Sequence, residues 1–199
     1  MNSFTRIAFA LTAAVLGLVA HGSFAAQDEK TVLKVGDPAP VFESIDDQGK
    51  PWKSTDHVGK KILVVYFYPG DLTKGCTTQA CGFRDDLKTF SDKNVEVIGI
   101  SGDSVKNHQL FKTVHKLNFT LLADEKGSVA KKFGVPVTEG VKTFKTKDEN
   151  GNPVELTRAC TIQRWTFVIG TDGKILLKNS MVKAGDDSKQ VLKVISAAP

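Results

Sequence analysis

Apolar residues in the first half of the chain gather into short continuous runs that are typical of buried β-strands. The runs KILVVYFYP at 61–69 and VEVIGIS at 95–101 are rich in β-branched and aromatic residues and do not alternate with polar ones. Such runs suit central strands that are covered on both faces. A shorter strand is predicted at LLAD, 121–124, and a hairpin at 41–54, where DQGK supplies the turn.

Helical periodicity fills the gaps between these strands. Apolar residues at 77–90 recur at the spacing of one helical face, which predicts a helix directly after the first central strand. Asp103 or Ser104 can cap a second helix that runs through 117. We also expect a short helix at 126–133 and a terminal helix that opens at Asp186 or Asp187.

The segment 141–170 is β-rich and contains the turn cluster DENGNP. It predicts a long hairpin, in which 160–168 forms one strand that carries Cys160 and Arg164 on the same face. The turn TDGK at 171–174 then leads into a last strand, KILLKNSMV.

The resulting order is β-α-β-α-β-α, followed by antiparallel strands and a helix. Parallel βαβ units that feed an antiparallel edge predict a mixed central sheet flanked by helices, which is a thioredoxin-like α/β fold. Residues 26–199 are enough for a single domain that buries a sizeable core. We expect the reactive group at the carboxyl end of the first central strand, where the next helix begins.

The N-terminus has the layout of a secretory signal peptide. Arg6 precedes an uncharged apolar run at 7–20, and Ser23-Phe24-Ala25 fits a small-x-small cleavage site. The alternative is a membrane anchor, but a span needs about 20 apolar residues. We therefore expect removal of the signal peptide 1–25 and a mature protein in the periplasm, without stable membrane association.

Charge does not point to a polyanionic partner. The chain has 27 Lys and Arg against 22 Asp and Glu, and loss of the signal peptide removes one Arg, leaving 26 against 22 and a net charge of +4. The basic residues are interleaved with acids, and the sequence shows no arginine-rich tract. A solvated surface is the simpler interpretation, and no nucleic-acid partner is expected.

Two of the three cysteines lie in YPGDLTKGCTTQAC, 68–81. Cys76 falls at the first turn of the predicted helix, where free backbone N–H groups and the helix dipole stabilise an anion. Lys74 adds positive charge, Thr73 can place a hydroxyl beside the sulfur, and Pro69 fixes the path of the loop. We therefore predict a large thiolate fraction. The alternative, a small buried hydrophobe, is disfavoured by the second thiol nearby.

The second thiol, Cys81, follows Cys76 by five residues. In an α-helix these positions are about 7.5 Å apart along the axis and about 140° apart around it. Their Cα atoms are then too far apart for a disulfide, which needs less than about 7 Å. Either the two cysteines never bond, or the first turns of the helix unwind when they do. A close pair in an exported protein indicates redox work.

The segment YFYPGDLTKGCTTQACGFRD resembles the active-site signature of the peroxiredoxins, in particular the bacterioferritin comigratory protein or PrxQ branch. The family pattern of Pro, three residues, Thr, two residues and Cys falls on Pro69, Thr73 and Cys76. That branch places its resolving cysteine five residues later, which implies this role for Cys81. The family also places an arginine just before a segment that leads into an Asp-Gly turn. The segment RWTFVIGTDG matches this pattern, which implies that Arg164 is the family's active-site arginine.

The resemblance covers about residues 35–195 and implies a thiol peroxidase that reduces hydrogen peroxide and organic hydroperoxides. Cys76 would become a sulfenic acid, with Thr73 and Arg164 stabilising the developing charge, and Cys81 would resolve it as a disulfide. A thioredoxin-like dithiol protein would reduce that disulfide. The resemblance implies no metal, haem or flavin cofactor, and a monomer, with a dimer as the alternative.

Several alternatives stay open at this point. Cys160 is either a small strand residue, a second redox partner for Cys76 or the site of an intermolecular disulfide. A periplasmic thiol-disulfide oxidoreductase would be expected to carry Cys-x-x-Cys, and a copper-delivery module Cys-x-x-x-Cys with a downstream His; the sequence has neither spacing. His57, His108 and His115 are scattered, so no metal site is expected.

Overall fold

A computed structural model describes residues 32–197, so the predicted signal peptide lies outside the described residues. The strands in this range are β1 Glu43–Asp46, β2 Pro51–Lys53, β3 Ile62–Phe67, β4 Val95–Ser101, β5 Thr120–Ala123, β6 Val137–Lys147, β7 Pro153–Ile162, β8 Trp165–Ile169 and β9 Ile175–Asn179. The helices are α1 Lys74–Asp92, α2 Val105–His115, α3 Ser128–Lys132 and α4 Asp187–Ala197, with a 3-10 turn at Ser54–Asp56.

Seven strands form one mixed sheet in the order β2-β1-β5-β4-β3-β8-β9. Strands β3, β4 and β5 are parallel, and the pairings of β1 with β5 and of β8 with β3 are antiparallel. The parallel βαβ units place β3 near the centre, where the continuous apolar run ILVVYF is buried on both faces. The predicted thioredoxin-like fold is confirmed.

Side chains of β3 alternate between two apolar layers. Leu63, Val65 and Phe67 pack into one layer, with α3 and the aromatic residues of the N-terminal hairpin. Val64, Tyr66 and Tyr68 pack into the other, against α1, α2 and α4. The period of two along an extended strand therefore divides the protein into two cores separated by the sheet.

The helix after β3 begins earlier than the sequence predicts. We expected it to start at Thr77, but α1 starts at Lys74, with Thr73 as its N-cap residue. The Thr77 N–H already donates to the Thr73 carbonyl at 2.8 Å. The polar run TKGCTT hid this first turn because it lacks the apolar spacing that marks the rest of the helix.

The predicted N-cap of the second helix is confirmed, but the helix ends sooner than expected. The Ser104 side chain accepts a hydrogen bond from the Asn107 N–H at the start of α2. The helix stops at His115 because Lys116 adopts a left-handed conformation with φ of 53°, so the predicted end at 117 is wrong.

The predicted long hairpin around the turn cluster at 148–153 is confirmed, but its second strand ends at Ile162 and does not continue to 170. Strands β6 and β7 pair only with each other, and the ladder ends where Ile162 faces Val137. The chain then crosses to the main sheet, where Trp165 pairs with Phe67. The prediction of a single strand at 160–168 is therefore wrong: Cys160 belongs to β7, and Arg164 lies in the two-residue connection before β8.

No helix within residues 32–197 is long and apolar enough to cross a membrane.

Candidate active site

The loop after β3 brings Cys76 to the beginning of α1. Cys76 is the third residue of this helix, where backbone N–H groups have no carbonyl partner within the helix. Its side chain is 1% exposed and packs in the same apolar layer as Tyr66 and Tyr68. The sulfur thus lies at the positive end of a helix dipole while most of its surface is shielded from water.

Arg164 reaches across from the connection between β7 and β8 to the sulfur. Its Nη2 lies 3.2 Å from Cys76 Sγ, and its Nη1 donates to Gln79 Oε1. Gly75 leaves room for this guanidinium, since a Cβ atom there would make a tight contact of 3.2 Å with Arg164 Nη2. The sequence separates Cys76 and Arg164 widely, and the fold brings them into direct contact.

Thr73 and Pro69 shape the loop before the helix. The Thr73 hydroxyl donates to the Gly70 carbonyl at 3.0 Å, which closes the turn that follows Pro69. Because its hydrogen is used in this bond, the hydroxyl oxygen keeps its lone pairs for an incoming donor. The sequence predicts this hydroxyl beside the Cys76 sulfur, and the hydrogen bond that the structure gives it is to the Gly70 carbonyl.

Cys81 lies on the same continuous helix as Cys76 and is partly exposed. All three cysteines of the chain are free thiols. Helix geometry keeps the sulfurs of Cys76 and Cys81 on different sides of α1, so a bond between them requires the intervening turns to open.

Cys160 belongs to the other apolar layer, across the sheet from Cys76. It is 3% exposed, packs against Gly102 and lies 3.7 Å from the Asp124 carbonyl. Burial, helped by the charge of Asp124, raises the pKa of the Cys160 thiol to about 11. This environment favours the unreactive thiol and matches the interpretation of Cys160 as a small packing residue.

Asp71, in the loop between β3 and α1, belongs to a buried ionic cluster. Asp71 accepts from the Tyr68 hydroxyl at 2.7 Å and pairs with His108 Nδ1 at 2.8 Å, and all three side chains are fully buried. Burial acts to lower the pKa of His108, but the charge of Asp71 and the hydrogen bond to it raise the pKa above its ordinary value. The Asp71 N–H in turn donates to Asp103 Oδ2 at 3.0 Å.

The hairpin of β6 and β7 touches this loop through Arg158. Its guanidinium occupies the space where Gly70 lacks a side chain, since a Cβ there would lie 1.6 Å from Arg158 Nη1. It is 4.0 Å from Asp103 Oδ2 and stands over the Phe144 ring. The hairpin therefore covers the loop that precedes α1.

Sequence reasoning missed two buried polar residues, Gln79 and Asp187, of which Gln79 accepts a hydrogen bond from Arg164. Gln79 is 1% exposed and Asp187 is fully buried, and Gln79 Nε2 donates to Asp187 Oδ2 at 2.7 Å. The signal for Gln79 was a polar side chain on the apolar face of α1. Asp187 had been predicted only as the start of a helix, and no local pattern could connect it to a residue 108 positions away.

The histidines do not converge. His57 pairs with Glu96 at 2.9 Å and His108 with Asp71. Across residues 32–197, no group of three or more His, Cys, Asp or Glu side chains is arranged to hold a metal ion.

Together these groups can stabilise a sulfur anion and the negative charge of an oxygen close to it. The guanidinium contacts the Cys76 sulfur, which lies in the first helical turn, and the Thr73 hydroxyl belongs to the N-cap residue of the same helix. Such an arrangement suits nucleophilic attack by sulfur on a bond whose departing atom gains negative charge.

The comparisons with known proteins agree on one family. The AhpC/TSA family model matches residues 35–178. The chain is 36% identical over 163 residues to the peroxiredoxin Bcp of Bacillus subtilis, an alignment that covers 82% of this chain and 95% of that protein.

Two solved structures extend this similarity to the fold. Peroxidoxin BcpB from Mycobacterium tuberculosis superposes with a TM-score of 0.69 at 32% identity, over 84% of this chain and 99% of that one. The bacterioferritin comigratory protein of Xanthomonas campestris, a protein with alkyl peroxide reduction activity, superposes with a TM-score of 0.65 at 28% identity, over 83% of this chain and 97% of that one. These relatives do not favour the thiol-disulfide oxidoreductase alternative.

Proposed function

We propose roles for individual residues from the premise that the chain belongs to the AhpC/TSA family and is a thiol-dependent peroxidase of the Bcp/PrxQ type. The Cys76 thiolate attacks the terminal oxygen of a hydroperoxide, and the O–O bond breaks. The attack leaves Cys76 as a sulfenic acid. The departing alkoxide or hydroxide takes up a proton and is released as an alcohol or water. The contact of 3.2 Å between Arg164 and Cys76 at the start of α1 is the observation that carries this proposal.

Two groups stabilise the charge that develops during this attack, and a third orients the hydroperoxide. Arg164 faces the sulfur directly, the first-turn N–H groups of α1 point out of the helix, and the Thr73 hydroxyl oxygen can accept from the hydroperoxide O–H. These donors and acceptors are fixed before the reaction begins, so little reorganisation is needed in the transition state. Pro69 supports them by fixing the turn that Thr73 closes.

Cys81 completes the oxidative half of the cycle. After α1 opens locally, the Cys81 sulfur attacks the sulfenic sulfur, a disulfide forms and water leaves. The opening has to break the contacts of Gln79, which lies between the two cysteines. The enzyme therefore alternates between a folded form that reacts with peroxide and a locally unfolded form that holds the disulfide.

The substrate class is hydroperoxides, and the reductant is a thioredoxin-type dithiol protein. We propose that hydrogen peroxide and alkyl hydroperoxides are both accepted, in line with the alkyl peroxide reduction activity of the Xanthomonas relative. Exchange with the dithiol returns Cys76 and Cys81 to thiols and leaves the reductant oxidised.

We place this activity in the periplasm and in a monomer. Support for export comes from the N-terminal sequence alone, in which an apolar run at 7–20 precedes Ser23-Phe24-Ala25. The reductant would then have to work outside the cytoplasm. Fractionation of cells that produce the full chain, with mass determination of the product, should find a periplasmic protein that begins at Ala26; a cytoplasmic protein that retains residues 1–25 would contradict this assignment.

A stoichiometric oxidation tests the residue roles. Reduced protein is mixed with one equivalent of hydrogen peroxide, and free thiols and peptide masses are then determined. We expect the loss of two thiols and one linked pair, Cys76 with Cys81. The link should vanish when a thioredoxin-type dithiol is added. A disulfide between Cys76 and Cys160 would contradict the role given to Cys81.

A further inference from the structure

The buried carboxylate of Asp187 is connected to the reactive sulfur through a short chain of side chains. Asp187 Oδ2 accepts from Gln79 Nε2 at 2.7 Å and from the Thr166 hydroxyl at 2.7 Å. Gln79 Oε1 accepts from Arg164 Nη1, and Arg164 Nη2 donates to Cys76 Sγ. The chain passes from α4 through α1 to the connection before β8, and Asp187 has no contact with the sulfur itself.

We propose that Asp187 is a positioning residue for the peroxide reaction: it fixes the amide of Gln79 so that the amide oxygen faces Arg164 and holds the guanidinium on Cys76. This inference rests on the proposed function of Cys76 and assigns a role to a residue that lies 108 positions from Gln79 in sequence.

The two ends of the Gln79 amide have different hydrogen-bonding roles. Gln79 has an oxygen that only accepts hydrogen bonds and an NH₂ group that only donates them. Asp187 accepts at one end, so the oxygen must lie at the other end, where Arg164 donates. In the flipped orientation, NH₂ would face the guanidinium and oxygen would face the carboxylate, and both contacts would be lost.

Because the Arg164 guanidinium is planar, the orientation of the Gln79 amide also determines how the guanidinium faces the sulfur. Nη1 and Nη2 of Arg164 belong to one rigid plane, so the bond from Nη1 to Gln79 also sets the direction of Nη2. Without Gln79 in the correct orientation, the arginine side chain would be free to leave the sulfur through its rotatable bonds. Asp187 thus controls the position of a charge that it does not touch.

The surroundings of Asp187 show that this carboxylate is retained in an unfavourable place. It is fully buried, and its Oδ1 has no hydrogen-bond partner among the described residues. Burial raises the pKa of Asp187 above its ordinary value, although the hydrogen bonds from Thr166 and Gln79 and the charge of Arg164 act in the opposite sense. A carboxylate that served only to begin α4 would do so at lower cost in water.

Substitutions at position 187 distinguish the effect of orienting the Gln79 amide from the effects of the Asp187 charge and of packing in α4. Asp187→Ala removes the acceptor and should lower the second-order rate constant with hydrogen peroxide by about 10-fold, in the range of a lost hydrogen bond to a charged group. Asp187→Asn keeps an acceptor oxygen and the side-chain size, so its rate should stay within about 3-fold of wild type. Val191→Ala, in the buried core of the same helix, controls for general destabilisation of α4.

A double-mutant cycle tests whether the effect passes through Gln79. In a Gln79→Ala background, Asp187→Ala should have little further effect, because the amide to be oriented is already absent. An equal loss of rate in both backgrounds would overturn the proposal. So would a rate loss in Val191→Ala that matches Asp187→Ala at the same loss of stability, or a wild-type rate in folded Asp187→Ala.

A second readout keeps this test apart from the proposed function. In protein that carries Cys81→Ser and Cys160→Ser, the rate of alkylation by iodoacetamide reports the reactivity of the Cys76 sulfur whether or not peroxide is reduced. Asp187→Ala should lower this rate, and Asp187→Asn should not. An unchanged alkylation rate in Asp187→Ala would count against the positioning role even if the peroxidase assay itself failed.

Discussion

Arg164 Nη2 lies 3.2 Å from Cys76 Sγ, and the same guanidinium donates from Nη1 to Gln79. One side chain therefore bridges the reactive sulfur and the helix that carries it. A planar fork can do this, whereas an ammonium group presents a single charged atom.

Arg164→Lys should lower the rate constant with hydrogen peroxide by about 10- to 100-fold, because a hydrogen bond to a charged group contributes about 1.5–3 kcal/mol and about 1.4 kcal/mol corresponds to tenfold. Stopped-flow tryptophan fluorescence measures this rate. Arg84→Lys is the matched control on α1, since Arg84 donates to the His115 carbonyl away from the sulfur. Equal rates for wild type and Arg164→Lys would show that the bridge is not needed.

The two remaining thiols should behave differently after oxidation. Cys160→Ser should leave the yield of the Cys76–Cys81 disulfide unchanged, because Cys160 is buried in the opposite apolar layer and its pKa is raised to about 11. Cys81→Ser should instead leave Cys76 as a sulfenic acid that a dimedone-type reagent traps. Mass spectrometry of both variants identifies which thiol bonds to Cys76. Loss of the disulfide in Cys160→Ser would contradict the assignment of Cys81 as the resolving cysteine.

Helix stability between the two cysteines should set the rate of disulfide formation. Thr78 is exposed on α1 between Cys76 and Cys81. Thr78→Ala should slow formation of the disulfide by about 2- to 3-fold, because alanine favours the helix by roughly 0.6 kcal/mol over threonine. Thr78→Gly should accelerate it slightly. The rate is followed by quenching the reaction at intervals after a peroxide pulse.

Thr89 supplies the control for this prediction. It is also exposed on α1 but lies beyond both cysteines, outside the turns that must open. The same substitutions at Thr89 should change the stability of the protein without changing disulfide formation. If Thr78 and Thr89 variants show the same rates, local unwinding of the first turns does not limit the reaction.

The buried pair of His108 and Asp71 should make stability depend on pH. The folded-state pKa of His108 lies above its ordinary value of about 6.5, so the stabilisation is fully present below about pH 6.5 and is lost as the pH rises through the folded pKa. His108→Gln should remove this alkaline-side loss. Urea unfolding at about pH 6 and about pH 9 measures the difference.

His115 provides a control of opposite sign. Burial and the charge of Arg84 lower the pKa of His115, so this histidine costs stability as the pH falls below about 6.5. His115→Gln should lessen that acid-side loss. A wild-type slope between about pH 6 and about pH 9 in His108→Gln would contradict the account of the buried pair.

Much of the fold could be predicted from the sequence because the central strands are recognisable from their composition. The runs at 61–69 and 95–101 are apolar throughout, and such runs fit few places other than the middle of a covered sheet. The break before Arg164 could not be foreseen, since the residues on both sides favour strands. Pairing with β6 ends at Ile162 and pairing with β3 begins at Trp165, and only the tertiary arrangement decides where the chain changes partner.

The candidate site divides in the same way. Thr73 and Cys76 are local, and their spacing could be read along a single loop. Gln79 and Asp187 belong to the site only because α1 packs against the beginning of α4, and their hydrogen bond spans 108 positions. A buried polar residue on an apolar helix face can be noticed in the sequence, but its partner cannot be named.

The most direct measurement compares hydrogen peroxide consumption by wild type, Cys76→Ser and Cys160→Ser, with a thioredoxin-type reductant supplied in excess. We expect Cys76→Ser to consume no peroxide above the background without enzyme, and Cys160→Ser to turn over at the wild-type rate. Peroxide consumption that survives in Cys76→Ser would contradict the assignment of the reactive sulfur.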